Sequence, residues 1–129
     1  MVSGARYVYL AMVWLYVAGI LVQVFLAGMG IFVVPRDFTP HVGLGWLLHL
    51  VPILLLVVAA VARVGSRLIW WNVALLVVQF VQPIFALART DTPVLAAFHP
   101  VLALVVFWLA VTLGLKAWRL VREPAPTAA

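Results

Sequence analysis

A chain of 129 residues, 68% hydrophobic and only 9% charged, cannot bury its apolar surface in a soluble fold, so lipid must surround most of it. It contains no cysteine, which excludes disulfides, zinc–thiolate sites, iron–sulfur clusters and cysteine nucleophiles. Its net charge of +5 does not indicate a nucleic-acid partner, because the basic residues stand at the ends of apolar runs, as is typical of membrane proteins.

Four apolar runs are long enough to cross a bilayer as helices. They cover residues 7–34, 41–62, 68–88 and 94–115. The connections between them are short, which favours antiparallel neighbours. The sequence therefore predicts an all-α fold, an antiparallel bundle of four transmembrane helices, with residues 1–122 as one domain and residues 123–129 as a disordered tail.

The basic residues predict how the bundle is oriented. One side of the membrane holds Arg6, Arg63, Arg67, Lys116, Arg119 and Arg122. The opposite side holds Arg36 and Arg89, each near an aspartate. Because cytoplasmic loops carry the excess of positive charge, we expect both termini in the cytoplasm and the protein in a bacterial inner membrane.

The two loops on the side with fewer basic residues resemble each other. One ends in Thr39-Pro40 and the other in Thr92-Pro93. Thr-Pro is a common helix start, since threonine caps and proline suits the first helical position. The likeness also fits two tandem two-helix repeats, which would set the second span opposite the fourth across the bundle.

Three histidines lie in segments that contain no acidic or basic residue: His41, His49 and His99. Polar side chains are costly in lipid, and histidines without carboxylates favour a metal or cofactor ligand over proton transfer. Pro100 removes the N–H that would bond the carbonyl of Ala96, so we expect a kink beside His99. His41 and His49 point 80° apart on their helix. His49 is nearer His99 in predicted depth, and both remain candidate partners of His99.

Other polar and small residues are candidates for the surroundings of a cofactor. They are Gln23, Gln79, Gln82 and Gly45. Glutamines in membrane helices more often bond one helix to another. Gly45, one turn after His41, leaves room for a flat macrocycle or for another helix.

These parts match a haem b held between helices by two imidazoles. Arg36 and Arg89 could meet the propionates at the edge of such a haem. No CxxCH motif is present, so covalent attachment is excluded.

The pattern resembles one four-helix half of the heme A synthase family, whose haem sites use histidines near the outer ends of the second and fourth helices. The resemblance implies His41 and His99 as axial ligands, with Gln23, Gly28 and Gln79 similar to family positions. The chain has four spans rather than eight, and it lacks the arginine that often follows the first histidine. Haem binding rather than catalysis is therefore expected.

The chain is also similar to a group of small uncharacterised four-span bacterial proteins. The shared stretches are Gln23 to Gly28, His41 to Gly45, and His99-Pro100. The predicted function is a haem-binding membrane protein in electron transfer or a redox accessory role. The alternative is an accessory subunit without its own cofactor, bound to a larger membrane complex, and homo-oligomers fit either function.

Overall fold

The computed structural model describes residues 2–122, apart from the side chain of Ser3, and within them every regular element is helical. The helices are α1 (Val2–Phe32), α2 (Thr39–Val61), α3 (Ser66–Leu87), α4 (Pro93–Ala96) and α5 (Phe98–Arg122). Among these residues four helices, with α4 and α5 as one, are long and apolar enough to cross a membrane. This confirms the all-α class and indicates a multi-pass membrane protein. The predicted tail, residues 123–129, lies outside the described residues.

The outermost helix ends differ from the predicted ones. The first helix begins at Val2 rather than residue 7, and the last runs to Arg122 rather than residue 115. The prediction counted apolar residues, but the backbone hydrogen bonds of a helix continue beyond the hydrocarbon into the polar interface. Long basic side chains such as Arg119 can extend toward water from there.

The fourth span is interrupted near its start. α4 ends at Ala96 and α5 begins at Phe98. The break lies where the N–H missing from Pro100 leaves the carbonyl of Ala96 without its helical donor. The predicted irregularity beside His99 is therefore present, and it places His99 in the first turn of α5.

The four spans occupy the corners of a square. α1 packs beside α2 and α5, and α3 packs beside the same two helices. Consequently α1 faces α3 across one diagonal and α2 faces α5 across the other. This diagonal placement of the second and fourth spans is the predicted one, while the tandem repeat itself remains a prediction.

Buried side chains are concentrated in one half of the bundle, which we call the closed half. It adjoins the basic end, defined by the six basic residues from Arg6 to Arg122 named above. Its core includes Tyr9, Val13, Tyr16, Leu55, Ala59, Leu75, Ala110, Leu113 and Ala117. In the other half, residues 21–29, 39–47, 80–87 and 98–105 include no buried side chain, and we call this the open half.

Two hydrogen bonds cross the closed half between the diagonal helices α1 and α3. The hydroxyl of Tyr16 donates to Oε1 of Gln79 at 2.8 Å, and Nδ2 of Asn72 donates to the hydroxyl of Tyr9 at 2.7 Å. The partners are seven residues apart on each helix, so both bonds lie on one face. Hydrogen bonds of this kind hold helices together where lipid gives no hydrophobic driving force.

We expect Tyr16→Phe to lower the free energy of unfolding by about 0.6 kcal/mol, the average for interhelical hydrogen bonds in a membrane protein. The substitution removes the donor and leaves Oε1 of Gln79 unbonded in the core. Tyr7→Phe is the matched control, because Tyr7 is on the same helix and 59% exposed. Denaturant titration in micelles measures both variants, and equal stability of the two would contradict the prediction.

Candidate cofactor site

Gln23 on α1 and His41 on α2 bind each other through three polar contacts. The side-chain Nε2 of Gln23 donates to the carbonyl of His41 at 2.8 Å. In return, Nδ1 of His41 donates to the carbonyl of Gln23 at 3.0 Å, because a carbonyl can only accept. Nε2 of His41 lies 3.4 Å from the Gln23 amide nitrogen. This arrangement fixes the imidazole ring at the first turn of α2.

His99 is held in the same way from the opposite corner. Its Nδ1 lies 3.1 Å from the carbonyl of Gln82 on α3, so this nitrogen also donates to the backbone. The rings of His41 and His99 lie edge to face across the diagonal, with centres 6.3 Å apart and planes at 78°. When such a ring is neutral with its proton on Nδ1, the lone pair is on Nε2, and Nε2 of His41 then faces the amide nitrogen of Gln23.

His49 lies in different surroundings. Its Nδ1 bonds to the carbonyl of Gly45 one turn earlier, and its ring packs against Phe80 and Trp46 with centres 5.4 and 5.7 Å away. Its Nε2 is buried and finds no hydrogen-bond partner within residues 2–122. Predicted depth favoured His49 as the partner of His99, but the ring beside His99 is that of His41. The predicted depth of His99 assumed a continuous helix from Pro93, but the helix is interrupted at Ala97, between α4 and α5.

The predicted glutamines divide between the two halves of the bundle. Gln23 and Gln82 lie beside the histidines, and the Oε1 of each is buried with no partner in the described part of the chain. Gln79 lies one turn deeper, in the closed half, where it accepts the bond from Tyr16. A Cβ atom at Gly45 would lie 3.0 Å from the Gln23 amide nitrogen, so the space this glycine provides is used by Gln23.

The loop before α2 sets the entry of His41 into the bundle. The Thr39 N–H donates to Oδ1 of Asp37 at 3.0 Å, and this bond lowers the pKa of the exposed Asp37 carboxyl. This bond stabilises the folded chain while the Asp37 carboxyl is ionised. The stabilisation is fully present above the pKa that Asp37 has in the unfolded chain, and it is lost as the pH falls through the lower pKa of Asp37 in the folded chain. A Cβ atom at Gly30 would lie 2.8 Å from the carbonyl of Asp37, so only glycine lets the loop pack this closely.

Arg36 and Arg89 are both exposed in the loops at the histidine end of the bundle. Arg36 adopts the left-handed region with φ of 72°, and its N–H donates to the carbonyl of Gly30 at 2.9 Å, which closes α1. Among residues 2–122 no group of three or more histidine, cysteine or acidic side chains could hold a metal ion. The arrangement therefore supplies two imidazole donors rather than a complete protein ligand set.

Sequence reasoning missed the backbone carbonyls of Gln23 and Gln82, since a carbonyl contact leaves no signal in residue type. It also missed Tyr9, Tyr16 and Asn72 as polar partners. The seven-residue spacing of Tyr9, Tyr16 and Gln23 was a signal that could have found the first two.

Comparison with known families gives a match over part of the chain. A family described as a family of unknown function, DUF6220, matches residues 23–90, which include Gln23, His41 and Gln82 and end before His99. No curated protein and no solved structure matches the chain. The match covers just over half of the chain, so the chain belongs to the DUF6220 family.

Proposed function

We propose that the chain is an integral membrane protein that binds a b-type haem with His41 and His99 as axial ligands, and that it transfers electrons or assists a redox complex. The observation that carries this proposal is the opposed pair of imidazoles, 6.3 Å between ring centres. Two imidazoles on opposite sides of one metal ion, each at a nitrogen–metal distance of about 2 Å, have ring centres roughly 6 Å apart. The distance between the ring centres of His41 and His99 is thus close to the distance expected when both rings bind one iron atom.

The hydrogen bonds of the two rings support the same proposal. Histidines that bind a metal almost always donate their other ring N–H to a carbonyl or carboxylate, which fixes the tautomer and raises the basicity of the ligand. His41 does so to Gln23 and His99 does so to Gln82. The backbone of α1 and α3 thus orients both rings through Nδ1, and a metal bound at Nε2 of His41 would replace its 3.4 Å contact with the Gln23 amide nitrogen.

The open half supports the proposal because its side chains are less buried than those of the closed half. The stretch 98–105 of α5, free of buried side chains, is about 12 Å long at the rise of a helix, a length comparable with a porphyrin. The closed half holds the four helices together independently of this region. A planar ligand bound in the open half would thus leave the core of the closed half unchanged.

A bound b-type haem supplies reversible one-electron oxidation and reduction at its iron. His41 and His99 would hold the iron, and the carbonyls of Gln23 and Gln82 would keep both rings oriented. Arg36 and Arg89, at the same end, are the cations that could meet its propionates. By the positive-inside rule this end faces away from the cytoplasm of a bacterial inner membrane, which we propose as the location.

The absorption spectrum of protein purified from haem-supplemented cells tests the proposal. We expect a Soret band and, after reduction, the sharp bands of a six-coordinate low-spin b-type haem. His99→Ala should lose that low-spin spectrum because one axial ligand is gone. A colourless wild-type protein after supplementation, or unchanged haem content and spectrum in His99→Ala, would contradict the proposal.

A second candidate is an accessory subunit that docks on a larger membrane complex. It is favoured by large apolar side chains on the open half, where Phe25, Trp46 and Leu47 are 65%, 70% and 63% exposed. Such side chains could pack against helices of a partner instead of lipid. A stoichiometric larger partner that co-purifies with a haem-free chain would select this function.

A further inference from the structure

We propose that a groove at the basic end binds the headgroup and upper acyl chain of an anionic phospholipid. The groove has a volume of about 320 Å³ and is lined by Arg67, Trp70, Trp71 and Ala74. These residues are spaced i, i+3, i+4 and i+7, so they form one face of α3. This site is distant from the histidines and does not depend on the proposed haem.

The upper part of the groove carries positive charge. Arg67 is exposed in the first turn of α3, and Nζ of Lys116 on α5 lies 5.3 Å from the centre of the Trp71 ring. Within residues 2–122 the two acidic residues, Asp37 and Asp91, are both in the loops at the opposite end. No described carboxylate therefore competes for Arg67, and a phosphate group complements it. Lys116 does not line the groove, but it adds positive charge beside Trp71, which does.

The lower part of the groove is apolar. Trp70 is 70% exposed, and Trp71 packs against Trp108 with ring centres 5.6 Å apart. The small side chain of Ala74 leaves space one turn further along the helix. From Arg67 to Ala74 the groove extends about 10 Å along α3, from the interface into the hydrocarbon. A charged start and an apolar continuation match a phospholipid rather than a free anion.

Tryptophan and basic residues are common at membrane interfaces in general. The test must therefore distinguish binding of a lipid in this groove from a general attraction between the basic end and anionic lipids. The chain offers a matched control. The guanidinium of Arg122 also lies over a tryptophan, 4.8 Å from the Trp118 ring centre, but it does not line the groove. Arg122→Gln removes the same charge from the same end as Arg67→Gln.

Native mass spectrometry of the micelle-solubilised full chain, titrated with phosphatidylglycerol or phosphatidylcholine of identical acyl chains, measures the binding. We expect tighter binding of phosphatidylglycerol and a loss of about fivefold in Arg67→Gln, as for one basic residue near an anionic surface. Ala74→Trp should fill the groove and weaken binding without changing charge. Arg122→Gln should bind like wild type.

Three outcomes would overturn the proposal. They are equal binding of the two lipids, equal loss in Arg122→Gln and Arg67→Gln, and displacement of phosphatidylglycerol by inorganic phosphate at equal concentration. The last would make the groove a site for free phosphate. Circular dichroism of each variant checks that its helices are intact. Arg67 and Ala74 are exposed, so their substitution removes no side chain from the core.

Discussion

Replacement of His41 by alanine is expected to abolish the low-spin haem spectrum, while His49→Ala is expected to retain it. The reason is that His41, and not His49, has its ring beside His99, with Nδ1 bonded to a carbonyl of another helix. Loss of an axial ligand leaves the iron five-coordinate or releases the haem. The reduced-minus-oxidised spectrum of each variant, normalised to protein, measures the effect.

The two substitutions form a matched pair because both histidines are on α2 and both are half-buried. A retained spectrum in His41→Ala together with a lost one in His49→Ala would transfer the ligand role to His49. Loss in both variants would mean that the site depends on the surroundings of His49 as well. In either case His41 and His99 alone would not account for binding.

Leu55→Ala is expected to destabilise the bundle by about 2 kcal/mol, the largest stability effect that we predict for a single substitution. Leu55 is fully buried in the closed half, and its loss leaves a cavity. The value is near the low end for buried leucines, because separated helices remain in lipid and lose packing rather than hydrophobic transfer.

Leu47→Ala, two turns earlier on α2, is the control. Leu47 is 63% exposed in the open half, so its truncation should change stability by less than about 0.5 kcal/mol. Unfolding of the haem-free chain in mixed micelles compares the two variants without any contribution from a ligand. Similar losses in both would contradict the division of the bundle into a closed and an open half.

The sequence predicted the four spans well, since runs of about 20 apolar residues leave the backbone no alternative to a helix in lipid. The terminal ends at Val2 and Arg122 were not predictable in the same way, because hydropathy marks the hydrocarbon boundary and not the last hydrogen bond. The break before His99 was predictable, because Pro100 removes a specific donor.

The candidate site was predicted less completely. Its histidines are visible as polar residues in apolar runs, but the residues alone left both His41 and His49 as candidate partners of His99. Predicted depth was no guide, because the break at Ala97 changes the depth of His99. The role of Gln79 also needed the structure: its partner Tyr16 is 63 residues away in sequence. Spacing along one helix does not reveal which residue of a diagonal helix lies opposite.

The two diagonals of the bundle carry different contacts, and these contacts lie at different depths. Tyr9 and Tyr16 join α1 to α3 in the closed half, whereas His41 and His99 oppose each other from α2 and α5 in the open half. Substitutions that share no partners have nearly additive effects. Substitutions could therefore change the surroundings of His41 and His99 while the packed core of the closed half persists, and they could strengthen that core without changing the histidine pair.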